Sequence, residues 1–258
     1  MSERCRWAVV SRRLRLLPLA LLLPAAVCLG QTPEQVQSWL VDVDRARNAF
    51  SEAQITARAT QITDGKATGS ADFQIYTKGE DRGLIVFRGG KNDGRKILNV
   101  GEKMWLMVPG ASRALPITPN QRLLGGASVG DVARIEFAKD FTGVARKGTE
   151  TVNGKPCRVV DLSAKSDRAP YSRVVLWFDE RQRLPCRLLF SLPSGKRAKE
   201  VTFIKFHQAA SGRPVVAEME VRDLISNQPG VLTRLEYLDY RSAKIDDKFF
   251  TPEGALTF

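Results

Sequence analysis

Apolar residues along this chain repeat in two different rhythms. Val36, Trp39, Leu40, Val43, Ala46 and Phe50 recur at helical spacing, with Asp42, Asp44, Arg45 and Arg47 on the other side. Thr32 is placed to accept the first free backbone N–H, Pro33 suits the first helical position, and Glu34 faces the positive end of the helix dipole. The pattern predicts an amphipathic helix of about 16 residues whose wide apolar face needs a surface to lie on. From Ile55 the period falls to two. Short alternating runs cover 73–77, 83–88, 95–100, 103–108, 114–117, 142–147, 156–163, 173–179, 184–192, 198–207, 215–224 and 232–240. Asn92-Asp93-Gly94, Asn153-Gly154, 179–182, Pro193-Ser194-Gly195 and Ser211-Gly212 punctuate them like hairpin turns. Such spacing describes an antiparallel meander, and too few helices intervene for a parallel sheet.

One stretch breaks the rhythm. Residues 119–134 hold Leu123-Leu124-Gly125-Gly126, which joins apolar anchors to backbone freedom. Ser128 is placed to cap a short helix carrying Val129, Val132 and Ala133. A long connection inside a compact meander suits a lid over the sheet. The expected fold is mainly β (α+β): a large curved antiparallel sheet, forming an unclosed barrel, whose apolar face is covered by the opening helix and the short helical lid.

The first 30 residues carry a different signal. Five arginines precede an apolar run over 16–30, the layout of a secretory signal peptide. The run is shorter than the roughly 20 residues of a spanning helix and contains Pro18 and Pro24. Residues 1–30 therefore read as a signal peptide cleaved near Gln31, and 31–258 as a single domain outside the cytoplasm. Ala25-Ala26-Val27 lacks the small residue that a lipid-modified Cys28 would need before it. Five Arg and one Glu give the leader +4 of the chain's +12, which leaves +8. That excess favours solubility and weak attraction to anionic membrane surfaces. No basic helix or aromatic RNA-binding motif points to nucleic acid. Cys157 and Cys186 remain after processing. The compartment permits a bridge, but strands two apart in a meander lie at about 9–10 Å, beyond the roughly 7 Å that a disulfide spans. The spacing favours two buried thiols on separate strands.

The sequence offers little for catalysis. His207 is the single histidine, near the end of a strand, and no G-x-S-x-G, G-x-G-x-x-G, Walker or C-x-x-C pattern occurs. Glu218 and Glu220 share one strand face and read as an outer polar row. No enzyme activity, metal or cofactor is expected. The large apolar residues say more. Lys103-Met104-Trp105-Leu106-Met107-Val108 and 174–178, with Trp177 and Phe178, carry bulky side chains on both faces. Such a strand is either covered twice or lines a cavity with one face, and methionine adapts to varied alkyl shapes.

The stretch 103–110, Arg113, Pro116, Gln121-Arg122-Leu123-Leu124-Gly125-Gly126 and Ser128 with Asp131 resembles the outer-membrane lipoprotein-sorting proteins, the LolA-like periplasmic carriers. So do 171–179 with Leu184-Pro185, and the closing Asp247-Lys248-Phe249-Phe250-Thr251-Pro252. The resemblance spans about 55–258. It implies an unclosed β-barrel with a helical lid, a periplasmic location and a monomer. It also implies carriage of lipoprotein acyl chains or another lipid between an inner-membrane transporter and the outer membrane, with peripheral membrane contact. In that reading Trp39, Leu40 and Val43 form the helical wall of an apolar cavity. Trp105, Met107, Leu123, Leu124 and Trp177 form the rest. A one-residue slip inverts strand faces, so the choice between Trp105 and Leu106 stays open. The alternative is a periplasmic scaffold of a transporter complex with no lipid cargo.

Overall fold

A computed structural model describes residues 31–47, 51–79, 81–118, 122–124, 127–128, 135–166, 169, 171–209, 212–226 and 230–258. The expected signal peptide, Phe50 and 129–134 lie outside them. Among the described residues, no helix is long and apolar enough to cross a membrane.

Helix α1 (Pro33–Arg47) starts where the sequence places it. Thr32 accepts from the Gln35 N–H at 3.3 Å, and Val36, Trp39, Leu40, Val43 and Ala46 are buried. Two runs of antiparallel strands follow. The first is β1 (Glu52–Thr63), β2 (Lys66–Lys78), β3 (Arg82–Arg88), β4 (Lys96–Val100), β5 (Lys103–Met107) and β6 (Leu115–Ile117). A short ladder, β7 (Arg122–Leu124) with β8 (Ala127–Ser128), and helix α2 (Phe137–Asp140) lead to the second. It comprises β9 (Phe141–Ala145), β10 (Glu150–Val152), β11 (Lys155–Ala164), β12 (Arg173–Asp179), β13 (Leu184–Ser191), β14 (Arg197–Gln208), β15 (Pro214–Asp223) and β16 (Val231–Ser242). Helix α3 (Pro252–Leu256) closes the chain after a 3-10 turn at Asp247–Phe250.

Pairing of β1 with β16 joins both runs into one 14-stranded sheet, which runs β10 to β16, then β1 to β6, with β9 on β11. Its ends do not pair, so the barrel is unclosed as the sequence predicts. The sheet is strongly curled. Val216 of β15 and Met104 of β5 line one small cavity, although six strand spacings would separate them by about 29 Å in a flat sheet. Asp64-Gly65 and Asn153-Gly154 make two-residue turns with positive φ at both positions, the geometry that matches strand twist. The main core joins α1 to one face of the sheet.

Between the two runs Arg122 pairs with Ser128 and Leu124 with Ala127, while the short helix expected after Ser128 lies outside the described residues. Two expectations change. Cys157 and Cys186 are bridged, with Cα atoms 7.0 Å apart. The cause is a β-bulge: Trp177 pairs with Arg187 and Phe178 with Pro185, so Cys186 stands unopposed, and a regular two-strand spacing does not apply. The second change concerns the opposite face. Tyr76, Leu84, Val86, Leu98, Trp105 and Met107 lie there under a cover made by Phe249, Phe250, Ala255, Leu256 and Phe258. Asp246 accepts from the Lys248 N–H at 3.0 Å and Thr251 from the Gly254 N–H at 3.1 Å, which fixes that C-terminal cover in place. Both faces of β5 are therefore covered, for two different reasons.

Candidate functional site

The cavity lies on the α1-covered face of the sheet and measures about 60 Å³. Its floor is a row of cross-strand partners. Ile55 pairs with Ile75, Ile75 with Ile85, and Ile85 with Ile97, and all four line the cavity. β-branched side chains suit this pleated surface, and each stands against the next about 4.5–5.5 Å away. Tyr240, paired with Ile55 from β16, ends the row on one side, and Leu106, paired with Ile97, continues it on the other. The next row toward the end of the strands is smaller and more polar: Ala53, Thr77, Gly83, Asn99 and Met104. Met219 and Tyr237 complete the wall. The site is thus apolar at its base with polar groups at one end, as in binding pockets generally.

Charge is sparse here and is held by partners. Tyr240 donates its hydroxyl to the Val216 carbonyl at 2.7 Å. Burial pushes its pKa well above the usual phenol value, with Tyr237 adding to the rise, so it stays a neutral donor. Arg47, in the last turn of α1, lines the cavity, donates to the Ile135 carbonyl at 3.1 Å, and lies over the Phe137 ring. One turn earlier, Asp44 accepts from the N–H groups of Phe137 and Ala138 at 2.8 and 2.9 Å. Burial raises the Asp44 carboxyl to about 6, against the lowering pull of those two N–H groups and of Arg47, while Glu136 adds to the rise. These contacts strap the C-terminal part of α1 to α2. The middle and N-terminal part is held by the β12–β13 turn: Asp42 pairs with Arg183, Gln35 donates to Glu180 at 3.4 Å, and Trp39 stacks on Phe178.

The residues proposed from sequence fall into three places. Trp39, Leu40 and Val43 are fully buried in the core between α1 and the sheet, beside the cavity rather than lining it. Trp105 and Met107 point away from it, into the cluster under the C-terminal cover. Register resolves the open choice on β5: Met104 and Leu106 face α1. Trp177 also faces outward. It packs with Cys157, Val159 and Cys186, receives the Arg187 guanidinium over its ring at 3.7 Å, and donates to Glu150 at 2.8 Å. Leu123 and Leu124 belong to β7, which contacts β1 while β8 contacts β15. Sequence reasoning passed over the isoleucine row. Its signal was present, an Ile or Leu at the same ladder position on successive strands, but reading it required the register.

Among the described residues, the polar groups singled out from sequence do not form a catalytic arrangement. His207 is exposed near the end of β14. Glu218 accepts from Lys205 at 2.6 Å and pairs with Arg234 at 3.2 Å, and Glu220 pairs with Arg234 at 2.9 Å, forming an ion network. Among the described residues no group of His, Cys, Asp and Glu could hold a metal ion.

A family model described as "-like: Uncharacterized protein" matches residues 79–254, more than half of the chain. No curated protein matches it. Solved structures do. A LolA superfamily protein from Nitrosomonas europaea is 23% identical with a TM-score of 0.73, and the match covers 83% of this chain and 96% of that one. A DUF1329 family protein from Desulfovibrio piger is 20% identical with a TM-score of 0.73, covering 87% and 98%. A putative outer membrane lipoprotein-sorting protein domain from Vibrio parahaemolyticus is 16% identical with a TM-score of 0.72, covering 88% and 100%. The chain therefore belongs to the family of that model, whose description assigns no activity, and it has the fold of the LolA superfamily.

Proposed function

We propose that this protein is a periplasmic carrier that takes acyl chains of a lipoprotein or another lipid between the sheet and α1, and moves them between the inner and outer membranes. The observation that carries the reading is the isoleucine-floored cavity on the inner face of an unclosed sheet. Hydrocarbon needs no polar recognition there, since each buried methylene contributes roughly 0.8 kcal/mol. A volume of about 60 Å³ does not hold an acyl chain. Loading then requires α1 to move off the sheet, which would turn Trp39, Leu40 and Val43 into cavity wall, with Leu123 and Leu124 acting as a lid. The straps at Asp44 and Asp42 are the contacts that such a movement breaks. The chain's net charge of +12, of which +8 follows residue 30, suits transient contact with anionic membranes and an inner-membrane transporter as partner. We place the processed protein, 31–258, in the periplasm after loss of its leader, and read it as a binding protein rather than a catalyst.

The small cavity also favours a second reading, a scaffold module with a filled core, because ligand pockets usually exceed about 300 Å³. Denaturing extraction with lipid mass spectrometry, together with titration of a fluorescent fatty acid, separates the two. Recovered lipid or saturable uptake is expected of the carrier. Protein that is free of lipid and takes up no probe would leave the scaffold.

A further inference from the structure

The row beside the cavity floor has one gap, and the described residues around it do not require it. Gly83 lies on β3 between Thr77 of β2 and Asn99 of β4, paired with both. It shares the face of Ile85, the α1-covered face, and lines the cavity. Its φ is not in the left-handed region, so the backbone does not demand glycine. Among the described residues a Cβ built there would meet only the Tyr76 carbonyl oxygen, at 3.9 Å, so their packing does not demand it either. Gly143 shows the contrast: a Cβ there falls 2.6 Å from Leu162 and 2.8 Å from Val36. Glycine weakens a strand through backbone entropy and the loss of a side chain to pack. Close approach of a ligand is one physical reason for a glycine in such a place.

We propose that Gly83 is the specificity-determining position of the site, a slot that admits one unbranched hydrocarbon tail between Thr77 and Asn99. The inference rests on the carrier reading and adds to it the shape of the tail. Two strand spacings separate Thr77 from Asn99, about 9–10 Å. A methylene chain lying over Gly83 then runs about 4.8 Å from each flanking strand, which leaves room for little more than its own width between the two side chains. A methyl branch would strike one wall. The Asn99 side-chain amide reaches toward the start of β3, donating to the Asp81 carbonyl at 3.1 Å, yet no atom of Asn99 lies within 4 Å of a Cβ built on Gly83. Beyond the slot the tail runs onto Ile75, Ile85 and Ile97.

The test uses a linear polyene fatty acid whose fluorescence rises on burial, with unbranched palmitic and methyl-branched phytanic acid as competitors. Wild type is compared with Gly83→Ala, Gly83→Leu and, as a strand-glycine control, Gly69→Leu, where a Cβ meets nothing within 4 Å. Thermal melts accompany every titration. The slot predicts an affinity loss of a few-fold for Gly83→Ala and at least tenfold for Gly83→Leu, with melting temperatures at or above wild type and the control unchanged. It also predicts that palmitic acid displaces the probe from wild type at least tenfold better than phytanic acid. Should Gly83→Leu fail to fold, Gly83→Ala and the competitor pair decide. Equal affinity in wild type and the folded Gly83 variants, or equal competition by both acids, overturns the slot and leaves the carrier reading standing. Wild type that binds no probe overturns both.

Discussion

Single residues here separate positions set by packing from positions left open. Gly143 belongs to the first kind: its missing side chain lets α1 lie against β9, with Val36, Val160 and Leu162 closing the gap. Gly143→Ala inserts a methyl among three buried groups and should cost about 1–3 kcal/mol in urea denaturation. A loss under about 0.5 kcal/mol would mean that α1 is not seated as described. The same scale explains what the sequence could and could not say about the site. Thr32, Val36, Trp39, Leu40 and Val43 were legible because a helix with one apolar face has one way to lie. On β5, Met104, Trp105, Leu106 and Met107 are all apolar, so alternation carries no sign, and only pairing with β4 shows that Met104 and Leu106 face α1.

At the scale of elements, α1 is a cover held by straps. The Asp44 strap is sensitive to pH. Its folded pKa of about 6 lies above the ordinary value of 3.8, because burial disfavours the charge. Folding therefore favours the protonated form. The stability that Asp44 contributes is complete below about pH 4 and is lost as the pH rises through 6. Asp44→Asn removes that titration. Urea melts at pH 4, 5, 6 and 7.5 should show wild type losing stability relative to the variant, by about 2–3 kcal/mol in total. A difference that stays flat across this range would contradict the burial described for Asp44. Elements differed in how well they could be read. Most strands of the second run follow alternating apolar residues and were visible. β1 was only half legible: a period of two starts at Ile55, but Thr56, Arg58 and Thr60 alternate with alanines, which signal burial weakly, so no run was marked there although β1 joins the two halves of the sheet. β7 and β8 were not marked as strands, because segments of three and two residues are too short to carry a period.

For the whole molecule, two distant closures complete the sheet, and neither was readable from local pattern. The C-terminal cover returns to β3–β5 from far along the chain, with Asp247 pairing to Lys78 and Arg82 at 3.0 and 2.6 Å. The Cys157–Cys186 bridge closes a 29-residue separation across β12, beside the turn that holds Asp42 and Gln35 of α1. Removing that bridge should cost about 2–4 kcal/mol. Cys157→Ser combined with Cys186→Ser, and wild type in reductant, should share one lowered denaturation midpoint, and an unchanged midpoint would contradict the bridge. The carrier account makes one demand of the whole fold: hydrocarbon must reach the inner face of the sheet. Photo-crosslinking with a diazirine fatty acid, followed by peptide mapping, reads this directly. Labels on Ile75, Ile85, Met104, Met219 or Tyr237 are the predicted result, and labels confined to the cluster around Trp105 and Phe258, or no labels at all, would contradict it.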